Sequence, residues 1–366
     1  MPSSKVVTPV KTGVQYFCNT LKFLDSGVHR NDDFGSFPTF DESVIPHRLS
    51  AIATVIVPQG VRKDPARIVF PFIVAITFLL FLFGSVRPAA ADWKPLVERL
   101  TADGFNRQTL ETLFNRPEVR FEPDAMADKI QALLRSRTDS PDDIARLKTT
   151  VRQSYLRKRV IDRAHSYMLE NRVVLEEIQT LYSIPQEIVV SILLIETHLG
   201  RNTGNRLVFN RLASMALSTD LETVKPHISG SLLTPENEEF ARRRCREKGD
   251  WAYNEFKALL RLAELNGLDP LEIRGSIYGA IGLCQFMPSN VFSYGVDADK
   301  DGQINLFTKS DALHSIASYL RGHGWRPGLD RDGQHRVIFA YNHSTVYANT
   351  VLAVAGKLKV RSRLRP

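Results

Sequence analysis

Residues 184–200 read IPQEIVVSILLIETHLG, and the fold class follows from them. Pro185 stands where the first turn of a helix tolerates proline, and Gly200 stands where a helix ends. Residues 186–199 between them are apolar on nearly every side. A helix of that kind is buried among other elements rather than laid on a surface. One residue breaks the pattern. Positions 188, 192, 196 and 199 share a helix face, and they hold Ile188, Ile192, Glu196 and Leu199. A carboxylate pressed against aliphatic side chains loses hydration, which favours its acid form. A carboxyl kept protonated near neutral pH is a general acid. The competing reading is a glutamate at a helix end, paired with Arg201.

Working outward, the chain keeps its helical character. Trp93, Leu96, Val97 and Leu100 keep a helical spacing, a short helix starts at Thr109, and Pro117 and Pro123 punctuate the elements. From Asp142 to Tyr182 helix formers run without Pro or Gly. Residues 218–250 are polar and carry Pro226, Gly230 and Pro235, as an inserted subdomain would, and an amphipathic helix is expected over 251–265. Further helices are expected over 309–322 and 345–358. The architecture expected is mainly α (α+β), with a helical region over 92–180 and a core over 181–366.

The first ninety residues are of another kind. Ile68 to Val86 is a run of 19 residues without a charge, preceded by Arg62, Lys63 and Arg67 and followed by Ala89-Ala90-Ala91. Basic flank, apolar stretch and small-residue site read as a secretory signal over 61–91, or as a membrane anchor where it is not cleaved. Residues 1–60 are expected to be a non-native extension ahead of that signal. An exported, periplasmic chain follows, attached to the inner membrane where the segment is retained.

The full chain has 366 residues, 43% hydrophobic and 24% charged, which excludes a disordered, collagen-like or coiled-coil protein. Its 3 cysteines lack CxxC spacing and exclude a disulfide scaffold and a cysteine zinc site. The formal charge is +8, which suits a polyanionic partner. No basic run reaches five residues; Arg242-Arg243-Arg244 is short and followed by Glu247 and Asp250, so it reads as a solvated helix face and no nucleic-acid partner is expected.

Three further stretches carry chemistry. Gly275 to Ser289 reads GSIYGAIGLCQFMPS. Its glycines permit tight turns and close ligand approach, it lacks the G-x-G-x-x-G spacing of a phosphate cradle, and Ser276, Tyr278 and Gln285 are its hydrogen-bonding groups. Asp297-Ala-Asp-Lys-Asp-Gly-Gln-Ile-Asn305 matches the first nine positions of an EF-hand calcium loop. Position 12 is Thr308 rather than Glu, and Asp311 is the carboxylate that makes up the set; a solvated acidic turn is the alternative. Tyr341, Asn342 and Tyr347 combine apolar ring faces with hydrogen-bonding groups, as sugar sites do; core tyrosines near a helix start are the alternative.

Taken in this order, the stretches resemble the lytic murein transglycosylases of the membrane-bound lytic transglycosylase B family. The resemblance runs over roughly 182–358 and rests on Ile195-Glu196-Thr197-His198-Leu199-Gly200, Gly275 to Ser289, the Asp-rich loop through Leu306, Gly322-His323-Gly324-Trp325, and Tyr341-Asn342. It implies a lysozyme-like catalytic core with an added helical region and a small inserted domain. It also implies Glu196 as a single catalytic acid/base that cleaves peptidoglycan strands between N-acetylmuramic acid and N-acetylglucosamine and leaves a 1,6-anhydromuramoyl end. Ser276, Tyr278, Gln285, Phe286, Tyr319, Tyr341, Asn342 and Tyr347 are the implied substrate residues. Asp297, Asp299, Asp301, Gln303 (through its backbone carbonyl) and Asp311 are the implied ligands of a structural Ca2+. No catalytic cofactor is implied, and the expected partner is the glycan strand. Two other readings stay open: a muramidase that hydrolyses the same bond, and a non-catalytic, calcium-stabilised wall-binding protein.

Overall fold

The computed structural model describes residues 92–137, 146–147 and 149–363. The expected extension (1–60) and signal or anchor (61–91) lie outside the described residues. Helices dominate. In chain order they are α1 (Lys94–Ala102), α2 (Arg107–Phe114), α3 (Asp124–Arg137), a 3-10 turn at Gln153–Leu156, α4 (Lys158–Glu170), α5 (Arg172–Tyr182) and α6 (Gln186–Thr197). There follow α7 (Val208–Leu217), α8 (Leu221–Val224), α9 (Pro235–Leu265), α10 (Pro288–Tyr294), α11 (Lys309–Gly322), α12 (Arg331–Tyr341) and α13 (Thr345–Arg363). Among the described residues the strands are a two-residue antiparallel pair, β1 (Arg206–Leu207) and β2 (Arg274–Gly275), with Arg206 opposite Gly275.

The apolar stretch that opened the sequence reading is α6, and it is central. Ile188, Val189, Val190, Ile192, Leu193 and Leu194 are buried, and the helix packs against α13, α4, α11 and α5. A second group forms where α7 packs on α9, α3 and α1, around Phe209, Phe256 and Phe114. The short α10 touches both α9 and α11. The Gly-rich stretch lies between β2 and α10.

Two boundaries differ from the sequence expectation. The long helical run over 142–182 is broken: α4 stops at Glu170 because Asn171 leaves helical geometry and its side-chain amide donates to the Tyr167 carbonyl (2.8 Å), a local bond that competes with the helix. Residues 218–250 do not fold apart. Thr234 and Asn237 form a capping box, which starts α9 at Pro235 with proline at a tolerated first-turn position. The helix then runs unbroken to Leu265, and Ala241 and Cys245 of its first half are buried in the common core.

Candidate active site

α6 ends at Thr197, and its last turn sets the site. His198, Leu199 and Gly200 all have left-handed backbones (φ 51°, 65° and 85°), two of them non-glycine, which costs of order 1 kcal/mol each. Thr197 holds that turn in place. Its buried hydroxyl donates to the Leu283 carbonyl (3.0 Å), reaches the Leu193 carbonyl (3.3 Å) and accepts the Gly200 amide (3.0 Å). The helix end is thereby pinned to the Gly-rich stretch, one residue after Glu196.

Glu196 is half-buried on the final turn of α6. Desolvation pushes its carboxyl from the ordinary 4.5 up to about 7, opposed by the hydroxyl of Tyr347. Among the described residues, neither an arginine nor a second carboxylate is a cause of that shift, and no ion pair joins it to Arg201. Tyr347 is itself buried, and burial together with Glu196 holds its phenol well above the usual tyrosine value. Its hydroxyl and the Asn342 side-chain oxygen are buried without a well-formed hydrogen bond. Buried polar atoms in that state are exceptional.

Tyr341 and Tyr347 stack with rings 6.5 Å apart and 5° from parallel. Tyr341 packs on Tyr319 (4.8 Å) and on Phe286 (5.9 Å). The hydroxyls of these two tyrosines are already engaged: Tyr341 donates to the Cys284 carbonyl (2.6 Å) and Tyr319 to the Ala340 carbonyl (2.7 Å). They therefore contribute ring faces and bracing. Phe286 is core beneath them. Gln285 adopts a left-handed backbone (φ 53°), and its amide straps the loop to Thr203 (3.1 Å) and Gly282 (2.9 Å) carbonyls. The Ser276 hydroxyl accepts from the amides of Tyr278 (3.3 Å) and Ala280 (3.0 Å). Tyr278 belongs to a different neighbourhood: its ring is buried under the Lys129 ammonium, 4.8 Å from the centroid.

The Asp-rich loop closes as a carboxylate cage. Single carboxylate oxygens of Asp297, Asp299 and Asp311 lie within 4.8 Å of one another. Asp311 is buried in the first turn of α11 and accepts the amides of Ala298 (3.0 Å) and Asn305 (2.8 Å). A carboxylate suits that end of a helix. Asp301 donates its amide to Asp297 (3.2 Å) and Asp299 (3.3 Å), and its carboxylate accepts the Gln303 amide (2.8 Å). Partial desolvation, and then the charges of Asp311, Asp301 and Asp297, raise the Asp299 carboxyl above its ordinary value. Hard oxygen donors crowded by like charge fit a divalent cation such as Ca2+.

With Glu196, the tyrosine group and the Gly-rich stretch in one arrangement, the sequence model of the transglycosylase SLT domain matches residues 88–334. The chain belongs to the transglycosylase SLT domain family. It is 33% identical over 147 residues to the membrane-bound lytic murein transglycosylase B of Escherichia coli K12, covering 40% of this chain and 34% of that protein; the match spans about a third of the relative's length. Its fold resembles the soluble lytic transglycosylase SltB1 of Pseudomonas aeruginosa at a TM-score of 0.56 and 25% identity, over 73% of this chain and 97% of that one. Escherichia coli Slt35, solved in complex with calcium, superposes at 0.55 with 20% identity, over 75% and 96%, and shares the fold. The fold is the mainly α, lysozyme-like one.

Two side chains of this SLT domain were not singled out in the sequence. One is Thr197, legible there only as part of Glu-Thr-x-x-Gly. The other is Glu255 in the middle of α9, a buried carboxyl pushed up to about 7 by desolvation. It accepts both the amide (2.9 Å) and the hydroxyl (2.8 Å) of Ser289, tying the C-terminal end of the Gly-rich stretch to α9. Nothing in its local sequence separates it from the exposed glutamates of the same helix. Cys245 and Cys284 are both buried and free.

Proposed function

We propose that this chain is an exported lytic transglycosylase of the bacterial envelope, acting on the bond between N-acetylmuramic acid and N-acetylglucosamine in peptidoglycan, with Glu196 as its single acid/base. The carboxyl enters the reaction protonated. It gives its proton to the glycosidic oxygen, the bond from that oxygen to muramic C1 breaks, and the N-acetylglucosamine leaves with a hydroxyl. The muramic acetamido oxygen meets the positive charge left at C1. Glu196, now a carboxylate steadied by the Tyr347 hydroxyl, removes the proton of the muramic 6-hydroxyl, and O6 bonds to C1. A 1,6-anhydro end results, no water is consumed, and Glu196 is returned to its acid form. An intramolecular hydroxyl has the high effective concentration that water lacks.

The observation that carries this reading is a desolvated carboxyl with, among the described residues, no second carboxylate contributing to its shift. Most glycosidases flank the bond with two. The rings of Tyr341 and Tyr347 present a face to the sugars, and the unpartnered Asn342 oxygen accepts a sugar hydroxyl or amide. Calcium, when bound by Asp297, Asp299 and Asp311, would supply structural cross-linking of the loop to α11; Slt35, which shares the fold, was solved in complex with calcium. The test is mass analysis of digested murein. Fragments one water lighter than hydrolysis products are expected, and none from Glu196→Gln. Fragments carrying the added water would make the chain a muramidase, and murein still solubilised by Glu196→Gln would remove the catalytic assignment.

A further inference from the structure

Helix α7 is apolar in its outline, VFNRLASMAL, yet three polar residues on it are almost wholly buried: Asn210, Arg211 and Ser214. All three face the segment before α3. Asn210 donates to the Glu118 carbonyl (2.9 Å) and accepts the Arg120 amide (3.3 Å), and Ser214 accepts the Glu122 amide (2.8 Å). Arg211, with none of its side chain exposed, does more. Its Nη1 donates to Asp124 (2.8 Å) and Glu122 (3.1 Å), while its Nε donates to the Ile277 carbonyl (2.7 Å). Its Nη2 is buried with no partner.

A fully buried guanidinium with an orphaned donor is a poor choice for stability. Desolvating it is expensive, and apolar residues of similar volume in place of the whole ion group do as well or better. What an apolar residue lacks is a donor for the Ile277 carbonyl. That carbonyl belongs to a turn otherwise closed on itself, through Ser276 to Ala280 (2.8 Å) and Gly279 to Ser276 (3.1 Å). The second half of the Gly-rich stretch is tied down separately, by Thr197 at Leu283 and Tyr341 at Cys284.

We propose that Arg211 is a positioning residue, which acts through the Ile277 carbonyl to set the Ser276–Ala280 turn at the wall of the glycan cleft and which the Glu122 and Asp124 carboxylates hold in aim. The proposal rests on the functional reading above and on the family resemblance, which implies Ser276 and Gln285 as substrate residues. It makes the helical region before α4 part of the cleft's geometry, through a residue that touches no substrate.

The experiment compares wild type, Arg211→Met and Arg211→Lys by hydrogen exchange across residues 276–280 without substrate, and by steady-state kinetics on soluble glycan strands. For Arg211→Met, faster exchange centred on the turn is expected, with a lowered melting temperature from the orphaned Ile277 carbonyl and the two unpaired carboxylates. KM should rise about tenfold, the worth of one charge-assisted hydrogen bond. The turnover number and the basic limb of the pH profile should stay in place, because Glu196 is untouched. Should Arg211→Met fail to fold, Arg211→Lys carries the same readouts, since one ammonium cannot serve the carbonyl and both carboxylates with a fork's geometry. Wild-type exchange in the turn, or a lowered melting temperature with KM unchanged, overturns the proposal in favour of a structural role. The exchange arm needs no turnover, so a wild type inactive on peptidoglycan would sink the functional reading while leaving the tie itself under test.

Discussion

Replacing Glu196 with glutamine should stabilise the protein while removing its activity, and the gain should grow with pH. The folded state keeps this carboxyl protonated to about pH 7, against an ordinary value of 4.5. Each tenfold step in that ratio is worth about 1.4 kcal/mol, so ionising Glu196 in the folded chain costs about 3 kcal/mol. The sign follows from proton linkage. The native state binds the proton more tightly than the unfolded chain, so the contribution is complete below 4.5, declines as pH rises to about 7 and is gone above that. Glutamine has the shape and no proton to lose, and its stability lacks this decline. Glu255 has a similarly raised value but is present in both proteins and cancels in the difference. The assay is urea unfolding of both proteins from about pH 4 to about pH 8. The stability difference should move by about 3 kcal/mol in favour of Glu196→Gln, with the change concentrated between 4.5 and 7. Curves that run parallel to within about 0.5 kcal/mol would refute the reasoning, because a carboxyl that ionises without penalty is not desolvated.

Activity of the wild type should decline above about pH 7 as the acid form of Glu196 is lost; a rate that stays flat well into the alkaline range speaks against a protonated carboxyl. Thr197→Val keeps the volume but orphans the Gly200 amide and the Leu283 carbonyl, and should cost about 1–3 kcal/mol in the urea midpoint; an unchanged midpoint would show that the hydroxyl is not the pin. Gly282→Ala places a Cβ within 2.6 Å of the Leu306 carbonyl oxygen at φ 74°, and should destabilise by more than about 1 kcal/mol, without the recovery that alanine gives at ordinary positions. Chelation should lower the melting temperature and added Ca2+ should restore it, with Asp311→Asn insensitive to both; a chelator without effect on the wild type counts against the metal.

Some expectations failed for local reasons. The boundary errors at Asn171 and Pro235 came from side-chain bonds, an amide turning back to Tyr167 and a capping box at Thr234, that periodicity does not weigh. Tyr278 was grouped with Ser276 and Gln285 by adjacency, yet in the fold its ring goes to Lys129. Of the groups that Tyr319 and Tyr341 offer, the hydroxyls brace backbone carbonyls, which leaves the ring faces.

Certain properties were in the chain itself. The helical class, the burial of α6 and the oddity of Glu196 follow from period and composition, because an apolar helix has one way to satisfy its surface and a carboxylate on it has none. The Asp spacing likewise determines a loop that crowds its charges. Only the tertiary structure decided which polar groups are spent and which are left over. Thr197, Glu255 and Arg211 are ordinary letters until their partners, tens of residues away in the chain, are brought within 3 Å. Hydrogen bonds to backbone carbonyls and amides leave no trace in composition, since every residue offers the same acceptor and nearly every one the same donor.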